Sequence, residues 1–151
     1  MAFDAFLKIP NIPGDSLSST YKDWIEIESF SWGEERPPSG TGVAVPLEVQ
    51  LVANSQSASP RLFKACADGV NLGTVQLHLT TVSAISAPQA FFKWDMENAV
   101  LGSYRAGGST ADDTPVDRFS IAFTTLTYSY SAQDQKTGSL QPPVVESVPF
   151  E

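Results

Sequence analysis

Ser59-Pro60-Arg61-Leu62-Phe63-Lys64-Ala65-Cys66-Ala67-Asp68-Gly69 is the one stretch of this chain that reads as a helix. Ser59 is suited to cap the first free backbone N–H groups, and Pro60 suits the opening turn, where its missing N–H costs nothing. Leu62, Phe63, Cys66 and Ala67 recur at helical spacing and predict the buried stripe, with Arg61, Lys64 and Asp68 toward water. Gly69 supplies the left-handed residue that ends a helix cheaply. A helix of about three turns does not hold alone in water. It is therefore expected to sit on an apolar surface built by strands, plugging an open end or seam of a β-barrel or sandwich.

The flanking sequence supplies those strands. Before the helix, Phe3, Ala5, Leu7 and Ile9 alternate with Asp4, Phe6 and Lys8, and Pro10 stops the run. Asp23 to Gly33 is expected as one long strand whose apolar set moves from Ile25 and Ile27 to Phe30 and Trp32. Such a switch marks a bulge near Ser29 or a strand passing from one sheet to another. Glu34 to Val45 is expected as a loop, and Val45 to Ala53 as a strand burying Val45, Leu47, Val49 and Leu51. After the helix, Thr74–Val82 places Val75, Leu77 and Leu79 opposite Gln76, His78 and Thr80. Phe91–Leu101 sets Phe92, Trp94, Met96 and Val100 against Lys93, Asp95 and Glu97. Gly102–Pro115 is a loop, Val116–Ser131 another face-switching strand, and Val144–Phe150 the last. Roughly eight strands and one helix over residues 1–151 predict a single all-β domain, an orthogonally packed β-barrel or two-sheet sandwich with one short helix at about Ser59–Asp68.

The chain has 151 residues, enough to bury roughly 70% of its unfolded surface. Charged residues make up only 17%, which favours a surface partly covered by further copies. A net charge of -8 argues against nucleic acid and against an anionic membrane surface. No run approaches the roughly 20 apolar residues of a membrane span. The Met1-Ala2-Phe3-Asp4 start lacks the basic region of a signal peptide, so synthesis and folding in the cytoplasm are expected. Cys66 is the sole cysteine; it rules out an internal disulfide and is expected as a small buried apolar group.

Chemistry is sparse. His78 is the only histidine, so multi-histidine metal sites are excluded, and it lies on the polar side of its strand. No Gly-x-Ser-x-Gly elbow is present, and Gly107-Gly108-Ser109 lacks the lysine of a phosphate cradle. Asp112, Asp113 and Asp117 lack the ordered spacing of a calcium loop. Asp95 and Glu97 form a carboxylate pair of the kind a glycosidase uses, but more simply a wet strand face. Trp24, Trp32 and Trp94 raise the alternative of a carbohydrate-binding β-sandwich module; core or subunit contact is the simpler role for Trp32 and Trp94. No catalytic, cofactor or metal residue is assigned, and the chain is read as a non-enzyme.

Phe6-Leu7-Lys8-Ile9, Ile12-Pro13-Gly14-Asp15-Ser16, and Asp23-Trp24-Ile25-Glu26-Ile27 running into Ser29-Phe30-Ser31-Trp32-Gly33 resemble the opening of the haemolysin-coregulated protein family, the tube proteins of bacterial type VI secretion. The likeness continues through Ala65-Cys66-Ala67-Asp68-Gly69, Gly107-Gly108-Ser109 and Phe119-Ser120-Ile121-Ala122-Phe123 to Tyr128-Ser129-Tyr130. The resemblance implies hexameric rings stacked into a hollow tube. A contractile sheath drives that tube out with a spike protein at its tip, and effector proteins ride in the lumen. It implies secretion to the medium or a target cell without a cleaved signal. The tail tube of a phage-like contractile particle is a close alternative. On this reading the Glu34–Val45 loop, through Glu34, Glu35, Arg36, Pro38, Thr41 and Val43, is expected to touch the neighbouring subunit or ring. Gln76, His78, Lys93, Asp95 and Glu97 are expected to line the pore.

Overall fold

The segment Asp23–Gly33 changes sheets in mid-run, which is why its apolar residues change parity. The computed structural model describes residues 3–38, 44–82, 88–134 and 136–150. Strand β2 (Ile25–Ile27) pairs with β1 (Phe3–Lys8), whereas β3 (Ser29–Ser31) pairs with β6 (Val49–Asn54) in a second sheet. Glu28 is the hinge, its N–H donating to Val52 O at 2.7 Å. Val116–Ser131 repeats the device: β10 (Val116–Ala122) belongs to the second sheet and β11 (Thr125–Tyr130) to the first.

The larger sheet has six strands in the order β12 (Val144–Pro149), β11, β8 (Ala90–Glu97), β7 (Val75–Thr81), β1, β2. The smaller has four, β3, β6, β10 and β9 (Val100–Gly107). Phe30 on β3 lies 6.3 Å from Phe3 on β1 and 5.8 Å from Phe92 on β8, so β3 runs across the strands of the larger sheet. Among the described strands neither sheet closes on itself, and the two-sheet sandwich is the architecture adopted. The core between the sheets is built by Leu7, Ile25, Leu51, Leu77, Met96 and Phe119, each all but fully buried.

Helix α1 (Ser59–Asp68) packs against β9 and ends at Gly69, whose φ of 65° is the left-handed cap expected of it. Two expectations for this helix fail. The N-cap is Ala58, with no side-chain cap, and Ser59 is already helical. Its hydroxyl instead accepts from Gln56 N–H at 2.9 Å and donates to Asp117 on β10. The buried side is Leu62 and Ala65, with Cys66 half-buried; Phe63 is 62% exposed and Ala67 is also exposed.

Three strand boundaries also differ. Pro46 cannot donate within a ladder, and the run from Val45 splits into β5 (Val45–Pro46) and β6, leaving Val45 and Leu47 exposed. Within the expected loop, β4 (Glu34–Glu35) pairs with β5 to make a two-stranded arm. Phe91–Leu101 is two strands, β8 and β9, because Asn98 takes a φ of 52° and turns the chain; β9 then extends to Gly107 through residues expected in a loop.

Candidate functional site

The side chains of β7 and β8 that point away from the core form one polar surface. Gln76 pairs with Asp95 and His78 with Lys93 across β7 and β8. Lys93, Asp95 and Glu97 in turn face Ser129, Thr127 and Thr125 on β11. Thr127 continues to Ser147 on β12, with the hydroxyls 3.0 Å apart. All five residues expected to line a pore therefore share one sheet face. Lys93 and Glu97 are exposed, and Gln76, His78 and Asp95 are half-buried. Asp95 and Glu97 share one strand face, opposite the hydroxyls of Thr127 and Thr125.

One end of this face is covered by a feature the alternation pattern did not announce. Phe6 stands on the wet row of β1, yet it is buried. The loop between β1 and β2 folds back over it: the ring of Tyr21 lies on Phe6 at 4.5 Å, 3° from parallel. The Tyr21 hydroxyl reaches His78 Nδ1 at 3.0 Å, and Trp24 lies 4.9 Å from the same imidazole. Burial, and secondarily the Lys93 ammonium, lower the His78 pKa to about 4 against the opposing pull of Asp95. The imidazole is thus neutral near pH 7. Phe6 in a polar row and two aromatics in an aperiodic loop were the only sequence signals for this cap.

The tryptophans do not form a sugar platform. Trp94 is buried and meets Trp32 edge-on at 5.9 Å, and Trp32 donates its indole N–H to Leu47 O at 2.6 Å. Trp24 belongs to the separate cluster over His78. Asp117, weighed as a calcium ligand, is buried on β10, and its carboxylate accepts hydroxyls from Ser55, Ser59 and Tyr104.

The expected contact loop contributes β4 to a separate two-stranded sheet with β5. Glu34 and Glu35 are exposed on β4, and Arg36 and Pro38 are exposed beyond it. Thr41 and Val43 lie outside the described residues.

Residues 6–130 match the family described as "Type VI secretion system effector, Hcp". The chain belongs to the Hcp family. This places it among the tube proteins of type VI secretion. No curated protein sequence matches it. Among solved structures, one described as a type six secretion system protein superposes with a TM-score of 0.88 at 27% identity, over 99% of this chain and 96% of that one. Hcp1 from Salmonella typhimurium follows with a TM-score of 0.83 at 23% identity, over 99% and 96%. A type VI secretion system effector from Yersinia pestis reaches 0.77 at 22%, over 97% and 99%. These last two establish likeness of fold. Among the described residues no helix is long and apolar enough to cross a membrane.

Proposed function

We propose that this Hcp chain is a ring subunit whose six-stranded sheet turns its polar face to a central lumen. Six copies close a ring, rings stack into a hollow tube, and the tube leaves the cell behind a spike protein, pushed by a contractile sheath. Assembly takes place in the cytoplasm, and export needs no cleaved signal. Gln76, His78, Lys93, Asp95 and Glu97 then belong to the lumen wall, where effector proteins are held. The observation that carries this reading is the register: it gathers these residues with Thr125, Thr127, Ser129 and Ser147 into one polar surface backed by the apolar core. A water-filled conduit calls for such a wall, one that hydrogen-bonds without gripping.

The arm from Glu34 onward, with Pro38 at its turn and Thr41 and Val43 beyond, serves contact with the neighbouring subunit or ring. Native mass spectrometry tests the ring: six chains of 16.2 kDa are expected in one particle. Negative-stain images should show a central hole. A strictly monomeric protein at high concentration overturns the reading. Removing the arm is expected to weaken stacking, and unchanged rings and stacks would remove its role.

A further inference from the structure

The side of the sandwich opposite the polar face is the outward surface of β3, β6, β10 and β9. Its register lays Ser29, Val52, Arg118 and Arg105 in one row across the four strands, and Ser31, Gln50, Ser120 and Ser103 in the next. Arg118 and Arg105 are thus direct cross-strand partners, and both are exposed. Like charges set opposite each other in a ladder work against the pairing. The chain has 17 acidic residues to 9 basic ones, so acids to separate the two are plentiful. Yet neither guanidinium meets a carboxylate among the described residues. The two acids that border the face are held by neutral donors instead. Glu28 accepts from Asn54 Nδ2 at 3.1 Å. Glu48 accepts from the Ser120 hydroxyl at 2.7 Å, its carboxylate lying against Gly102. A fixed double positive charge is left uncompensated, amid uncharged neighbours, on a protein of net charge -8.

We propose that Arg105 and Arg118 form a docking point for carboxylate side chains of a partner protein, whose acidic segment lies across the outward face of the smaller sheet. The site is complete within one chain and does not depend on the ring reading. Charge complementarity selects the occupant. Each arginine presents a planar fork of donors that matches a carboxylate with two parallel hydrogen bonds. Two forks side by side suit a pair of acids on one segment, and those acids remove the repulsion that the free chain carries. Exposed Ser29, Ser31 and Gln50 in the adjoining rows offer neutral hydrogen-bonding groups to the same segment. Nucleic acid is the poorer match. Its affinity grows with the number of phosphates neutralised, and this face offers two cations on a chain whose net charge repels a long polyanion. A protein segment can bring its acids to the one basic spot and leave the rest of its surface uncharged.

The test titrates the full chain with a short, otherwise neutral peptide carrying two glutamates one helical turn apart, followed by two-dimensional NMR. The backbone and guanidinium N–H signals of Arg105 and Arg118 should shift, and the shifts should shrink as salt is raised. The double variant Arg105→Gln, Arg118→Gln should bind about tenfold more weakly or worse. Arg61→Gln, which removes one positive charge at another exposed arginine, should bind as wild type does. Both sheet arginines face solvent, so the double variant is expected to keep the wild-type near-ultraviolet circular dichroism. If it fails to fold, the Arg→Lys pair decides: it keeps the charge and loses the fork, and undiminished binding overturns the proposal. Shifts that avoid residues 105 and 118, or a wild type that ignores the peptide, overturn it too. A single-stranded oligonucleotide that binds the pair more tightly than the peptide overturns the choice of a protein partner. A double variant of reduced particle mass would place the acids on a second copy and overturn it as well.

Discussion

The hydroxyl of Tyr21 and Nδ1 of His78 are 3.0 Å apart, tying the loop between β1 and β2 to the middle of the polar sheet face. The contact has a pH consequence. Unfolded His78 takes up its proton near pH 6.5, whereas in the folded chain burial and Lys93 hold its pKa to about 4. Between those two values the unfolded chain binds a proton that the folded chain refuses. Stability is therefore lost as pH falls through 6.5 and levels off below about 4, by on the order of 2 kcal/mol once partial solvent contact is allowed for. Denaturant melts at pH 7 and pH 4.5 should show a smaller difference for His78→Asn than for wild type. Equal differences would mean that His78 is not held neutral.

The second prediction concerns the Ile12-Pro13-Gly14-Asp15-Ser16 segment. A Cβ on Gly14 would lie 2.5 Å from Trp24 O, 2.7 Å from Ile25 Cα and 2.8 Å from Gln56 Oε1. The first two are backbone atoms of the strand entering the core and cannot swing aside. This close approach lets Gly14 N–H donate to Asp23 O at 2.7 Å, and lets the Asp15 carboxylate accept from Ser57 N–H at 2.9 Å. Gly14→Ala is expected to cost about 2–3 kcal/mol in equilibrium unfolding, at the upper end for an overpacked site. A loss below about 0.5 kcal/mol would show that the loop relaxes freely.

What the sequence made legible follows from period and parity. The switch from Ile25 and Ile27 to Phe30 and Trp32 announced a strand shared between two sheets, and the alternation along β7 and β8 placed Gln76, His78, Lys93, Asp95 and Glu97 on one face. What stayed hidden lacks a period. The turn at Asn98 interrupts a run in which Met96, Ala99, Val100 and Leu101 are all apolar, so nothing but a backbone angle divides β8 from β9. Tyr21 and Trp24 act from a loop. Asp117 shares the strand parity of Phe119 and Ile121 and so stands on the inward row; what period alone does not show is the set of hydroxyls, brought from distant parts of the chain, that holds an acid there.

Asp117 gives the third prediction. Ser55 and Tyr104 donate to its Oδ1 at 3.0 Å each and Ser59 to its Oδ2, so this one carboxylate fastens the start of α1 to β10 and β9. Burial, together with the hydrogen bond to Asp117, raises the Tyr104 pKa. Asp117→Ala leaves three half-buried hydroxyl donors without their acceptor and is expected to cost about 3 kcal/mol. Ser59→Ala leaves two of the three bonds and should cost about 1 kcal/mol. Urea denaturation measures both; an Asp117→Ala loss no larger than that of Ser59→Ala would remove the carboxylate from its central place.

The last prediction separates two adjacent helix residues that hydrophobicity alone cannot rank. Leu62 is 1% exposed and joins the core, whereas Phe63 is 62% exposed, its ring 6.5 Å from that of Tyr104 between centroids. On transfer energy alone the phenylalanine would be the costlier truncation. The packing reverses that order, because Leu62→Ala opens a cavity under a helix too short to stand unaided, whereas Phe63→Ala removes a ring already largely in water. Leu62→Ala is expected to lose about 2–5 kcal/mol and Phe63→Ala no more than about 0.5 kcal/mol. Chemical denaturation of the two variants beside wild type, at the same low protein concentration, gives the comparison. If Phe63→Ala proves the more damaging, α1 lies on the sandwich by its other side, and the stripe of Leu62, Phe63, Cys66 and Ala67 is the correct one after all.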